Sequence, residues 1–107
     1  MIEVIYYPRF NAVTVKGHAG FAEEGKDIIC AGVSAIAWTL AEAAAKLASE
    51  GKAMEPKIKM ASGRAEISVD ALPKHEEYVR DIFGYICGGF KRMAEQSPEY
   101  ISYIVRA

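Results

Sequence analysis

Cysteine is scarce in this 107-residue sequence: only Cys30 and Cys87 occur. Two thiols cannot make a disulfide framework, and nothing around them calls for a bridge. Metal-site spacing is missing as well. His18, Cys30 and Asp27 have no fourth ligand and no paired Cys-x-x-Cys, so neither a metal nor another cofactor is expected. Charge of one sign is also lacking, with 13 Lys and Arg against 14 Asp and Glu. That balance gives no electrostatic argument for nucleic acid or an anionic membrane, and "MASGRA" and "GGFKRM" hold too few cations for a phosphate-binding patch. No apolar run approaches the length that spans a bilayer, so no membrane association is expected. The opening "MIEVIYYPRF" has no charged region before an apolar one, as a secretory signal would. A reducing, cytoplasmic location is the simplest reading. Repeats, linkers and low-complexity segments are absent too. The Gly-rich "GHAGFAEEG" has no Lys and carries two Glu, which makes it a poor phosphate cradle.

What is present fits one globular domain over residues 1–107, with 51% hydrophobic and 25% charged residues. "IEVIYY" (2–7) reads as a strand, "PRFN" as a turn, and "AVTVKG" (12–17) alternates as a second strand should. Residues 19–27 read as loop. From Ile28 to about Glu50 the apolar residues Ile29, Val33, Ile36, Leu40, Ala44 and Leu47 recur at helical spacing. Asp27 is the candidate N-cap and Gly51 the stop. "EPKIKMA" and "RAEISVD" form a hairpin around Ser62-Gly63, with one apolar and one polar face. Pro73 precedes a second helix, 74–96, striped by Val79, Ile82, Phe83, Ile86, Phe90 and Met93. "PEYISYIVR" closes the chain as a strand. The order ββαββαβ predicts an α+β fold: a mostly antiparallel sheet with two long helices packed on one face.

One stretch carries candidate chemistry, "VKGHAGFAEEGKDIICAGVSAIAW", residues 15–38. With Asp27 as cap, Cys30 is the third residue of the helix, near its free amides and positive dipole end. A helix N-terminus and a nearby imidazolium both favour a thiolate, and His18 ends the strand across the loop. The same free amides could hold an oxyanion. Spacing alone leaves the bland reading open: a Cys in a helix is often a small buried hydrophobe, and a His at a strand end is often a surface group.

The stretch also resembles the signature of the ribosomal-processing cysteine protease (Prp) family of bacteria. The matching residues are Gly17, His18, Ala19, Gly25, Asp27, Cys30, Ala31, Val33 and Ser34. The resemblance implies a compact, homodimeric α+β cysteine protease domain with a peptide or protein substrate. It implies cleavage of the N-terminal extension of a large-subunit ribosomal protein, after a Phe-Phe-Ala-like stretch. Phage-encoded relatives process capsid-related proteins instead, and a non-catalytic ribosome-associated module with the same fold is the further alternative. Carried over by position, Cys30 is the nucleophile and His18 the base, with Asp27 and Ser34 as supporting residues. Gly20, Phe21 and Gly25 would belong to a flexible loop that opens for the peptide, although Phe21 could instead be a plug packed on the core. Gly32 departs from the family's alanine and is expected to loosen the helix start.

Outside this stretch the expectations are plainer. Cys87 belongs to the apolar stripe of the second helix, and His75 is expected to be exposed beside Glu76 and Glu77. Ala35, Ala41, Ala45 and Ala48 are expected to smooth one side of the first helix for a partner.

Overall fold

The computed structural model describes residues 1–23 and 26–107. Strand β1 (Ile2–Tyr7) turns through a single 3-10 turn, Pro8–Phe10, into β2 (Ala12–Lys16). Helix α1 (Ile28–Ser49) follows, then the hairpin of β3 (Lys57–Ala61) and β4 (Arg64–Ser68). Helix α2 (Glu76–Gln96) leads to β5 (Ile101–Val105). Its first turn is a 3-10 turn at Pro73–His75, so α2 begins two residues later than the periodicity suggests. His75 occupies the position before α2 and is half-buried rather than exposed.

The five strands lie in the order β3-β4-β2-β1-β5. All neighbours are antiparallel except β1 and β5. That parallel pair needs a crossover, and α2 provides it by crossing the sheet between β4 and β5. Alternation along the strands sorts the residues. Val4 pairs with Val15, and Val13 with Ile67, on the face that the helices cover. Thr14, Glu66 and Lys59 line up across the other face. The core is a single cluster in which Val4, Ile67, Leu40, Phe83 and Phe90 are all essentially without exposure. It lies between the sheet and the two helices, as one covered face requires.

Length and composition make α1 able to cross a membrane, contrary to the expectation that no run approaches that span. Its alanines account for this, since only Glu42 and Lys46 interrupt an otherwise uncharged 22-residue helix. In the fold α1 is a layer of the domain, with Val33, Leu40 and Leu47 in the core. Its alanines do not form one smooth side. Ala41 is buried in the core, Ala48 is half-buried, and Ala35 and Ala45 are exposed.

Candidate active site

Asp27 sits in extended backbone just ahead of α1, and its carboxylate does two jobs. Oδ1 accepts from the amides of Ile29 (2.9 Å) and Cys30 (3.0 Å), which caps the helix. Oδ2 accepts from the amides of Phe21 (3.1 Å) and Ala22 (3.4 Å) in the preceding loop. Donation from the Cys30 amide above all, and from the Ala22 and Phe21 amides, holds the carboxyl below its ordinary value against the opposing effect of burial. Asp27 therefore joins the start of α1 to the loop that leads there from β2. A cap can be read from sequence; the second pair of bonds cannot, because it depends on how the loop folds back.

Cys30 is fixed one turn into α1 and is half-buried. The amide of Ala19, itself buried, donates to its sulfur at 3.4 Å. Such a donor stabilises negative charge on sulfur more than it stabilises the neutral thiol. His18 precedes Ala19 at the end of the strand and is exposed. Both side chains open on one cleft of about 420 Å³, which Asp27, Ser34 and Arg64 also line. Apolar groups of Ile2, Val15, Val33, Ala37, Met60 and Ala65 line much of the rest. Among the described residues no hydrogen bond joins the imidazole to the sulfur or the Ser34 hydroxyl to Cys30. In this state the two candidate partners share a cleft without being bonded.

The oxyanion idea needs a correction. The Ile29 and Cys30 amides are taken by Asp27, and the Ala31 amide donates to the Asp27 carbonyl at 3.0 Å. Only the first amide of α1, that of Ile28, is left over by this cap. The donor beside the sulfur is instead the Ala19 amide, which no sequence signal singles out.

The loop is tethered in its described part. Ala19 is buried, Gly20 takes a left-handed φ of +71°, and the Phe21 ring meets Tyr100 edge-on at 5.2 Å. Phe21 is 45% exposed, so its ring rests against Tyr100 at the surface and does not plug the core. Gly25 lies outside the described residues. Gly32 has a steric partner: a Cβ there would come 2.8 Å from Met93 Cε and 3.3 Å from Met93 Sδ. Met93 of α2 fills the space an alanine methyl would take. Cys87, the other thiol, is fully buried, and burial pushes it up to about 12.

The sequence model of the family described as Cysteine protease Prp matches residues 1–102. No curated protein matches. Among solved structures, an essential ribosomal processing protease Prp from Staphylococcus aureus, in complex with a covalently linked product peptide, superposes with TM-score 0.75. It is 21% identical, and the match covers 99% of this chain and 100% of that one. The same protease with a substrate peptide gives TM-score 0.67 at 20% identity, over 99% and 100% of the two chains. SMU.848 from Streptococcus mutans gives TM-score 0.64 at 27% identity, over 97% of this chain and 90% of that one.

Proposed function

The chain belongs to the Prp family of cysteine proteases, and from that premise we propose that it removes the N-terminal extension of a large-subunit ribosomal protein, with Cys30 as nucleophile and His18 as base. The observation that carries the assignment of roles is the setting of Cys30. It is accessible, lies at a capped helix start, accepts a hydrogen bond from Ala19 and shares a cleft with His18. Cys87 has none of these features.

The steps follow from that setting. His18 accepts the thiol proton as Cys30 Sγ attacks the scissile carbonyl carbon, and the carbonyl oxygen takes up the negative charge. The Ala19 amide, already directed at the sulfur, is the donor placed to meet that oxygen. As the C–N bond breaks, His18 gives its proton to the leaving amine, which departs as the trimmed protein's new N-terminus. The extension is left as a thioester on Cys30. Water then attacks the thioester, His18 takes its proton, and the thiol returns when the carboxylic acid leaves. Asp27 positions Cys30 by holding the first turn of α1. Ser34 lines the cleft one turn further on, and its proposed part is a hydrogen bond near the sulfur.

The apolar lining of the cleft suits a large apolar side chain beside the cut, in keeping with the Phe-Phe-Ala-like stretch implied by the resemblance. The S. aureus relative is a ribosomal processing protease, which favours this substrate over a capsid protein. Opening the cleft further means releasing Phe21 and Ala22 from Asp27, so the loop with Gly20 and Phe21 is the proposed gate. A second copy is the proposed partner, docked on the exposed side of α1 at Ala31, Ala35, Trp38 and Ala45, in the reducing cytoplasm. The test of substrate is direct. The protein is incubated with an extended ribosomal protein from the same genome, and the new N-terminus is read by mass spectrometry. A single cut within an aromatic-rich stretch supports the reading, and an intact substrate counts against it.

A further inference from the structure

The tip of the β3–β4 hairpin meets His18. The Gly17 amide donates to the Gly63 carbonyl at 2.8 Å, which extends the β2–β4 ladder one bond beyond its last pair, Lys16 and Arg64. This bond ties the hairpin tip to the residue just before His18. Gly17 itself has φ +100°, and a Cβ there would run into the Met1 carbonyl, so the chain direction entering His18 is fixed. At position 63 a Cβ would lie 2.6 Å from His18 Nε2, 3.2 Å from Cε1 and 3.3 Å from Cδ2. The imidazole thus rests with its Nε2 end against bare backbone. No hydrogen bond holds the ring among the described residues, and His18 is exposed, so the bare backbone at Gly63 is a contact that bears directly on its orientation. The turn alone does not explain this contact. Gly20 and Gly51 have nearly the same φ, +71° and +74°, with nothing within 4 Å of the Cβ they lack.

We infer that Gly63 is a positioning residue for His18: the hairpin tip, bare of a side chain, is the seat that holds the imidazole at the wall of the Cys30 cleft. The inference rests on the proteolytic reading above. Any side chain at position 63 takes the place of the ring's Nε2 end and pushes the imidazole off its seat. Reach between base and nucleophile is then lost although both residues remain. Displacements of about 1 Å in such a site can cost about a hundredfold in rate.

The test compares Gly63→Ala, Gly63→Asn, Gly51→Ala and His18→Ala with the wild type. Gly51→Ala carries the backbone strain of a positive φ without a steric partner, and Asn tolerates that φ while still adding a Cβ. Thermal midpoint, kcat and KM on the extended substrate, and the pH profile of Cys30 alkylation by iodoacetamide are measured for each. Gly51→Ala is expected to lose thermal stability as Gly63→Ala does and to keep wild-type kinetics. Both Gly63 variants are expected to lose about tenfold or more in kcat with KM nearly unchanged. Their alkylation profile should move from the wild-type profile to that of His18→Ala. A raised KM with kcat kept, or a wild-type alkylation profile, would mean that the new Cβ only obstructs substrate, and would overturn the positioning role. If wild type cleaves and His18→Ala does not, that failure belongs to Gly63 alone. If His18→Ala matches wild type in both cleavage and alkylation, the proteolytic reading falls and takes the seat with it.

Discussion

The two thiols differ as far as two cysteines in one small domain can. Cys30 is half-buried in an open cleft with an amide directed at its sulfur, whereas Cys87 is enclosed in the core. Burial that pushes Cys87 up to about 12 leaves almost no thiolate there at neutral pH. Iodoacetamide at neutral pH should therefore label Cys30 and leave Cys87 unlabelled in the folded protein, as read by peptide mass mapping. Cys87→Ala should keep full activity and cost about 1 kcal/mol of stability, the ordinary cost of a core substitution. Asp27 gives a pH prediction. Its carboxyl is held below the ordinary value in the fold, so the unfolded chain binds this proton more readily. The stabilisation is complete above the unfolded carboxyl's value of about 3.9, and is lost as pH falls through the lower folded value. Asp27→Ala should melt several degrees below wild type near neutrality, and the gap should close in acid. A gap that stays constant with pH would mean that the charge on Asp27 plays no part in the cap.

Helix packing gives Gly32 a structural reason. Gly32 of α1 faces Met93 of α2, and Gly89 of α2 faces Ile36 of α1, whose Cδ1 would lie 3.1 Å from an added Cβ. Each helix thus offers a small residue where the other offers a long one. Gly32→Ala gains up to about 1 kcal/mol in helix propensity but requires the end of Met93 to move. Because that end is flexible, the two effects should nearly cancel, with stability within about 1 kcal/mol of wild type. Gly32→Val should be clearly destabilising in the same denaturant titration, since a branched side chain cannot be accommodated by a methionine tip alone. The elements themselves were legible from periodicity, from Asp27 as cap and from Ser62-Gly63 as turn. Those signals are local, and strands and helices answer to them. Contacts between distant segments were not legible. Nothing around Gly63 points to His18, nothing around Gly32 points to Met93, and the outer oxygen of Asp27 bonds to a loop whose path no periodicity encodes.

At the scale of the whole molecule, the sheet and α2 cover one side of α1 and leave Ala31, Ala35, Trp38 and Ala45 exposed, with Trp38 at 60%. The alanine pattern suggested a smooth side but mixed core and surface positions, because Ala41 belongs to the core and small residues serve either environment. An exposed Trp amid alanines is the more specific mark of the proposed dimer face. Trp38→Glu should sediment as a monomer at concentrations where wild type is a dimer, while keeping its fold. Wild type that sediments as a monomer would show that this face does not pair two copies. Whether Cys30 and His18 together cut the peptide bond is decided by one cleavage series. Wild type, Cys30→Ala, His18→Ala and Cys87→Ala are incubated in parallel with the extended ribosomal protein, and intact masses of enzyme and substrate are followed together. Wild type and Cys87→Ala should trim the substrate, wild type should show a transient mass increase equal to the extension held as a thioester at Cys30, and the other two should leave the substrate uncut. Trimming by Cys30→Ala at the wild-type rate would show that Cys30 is not the nucleophile.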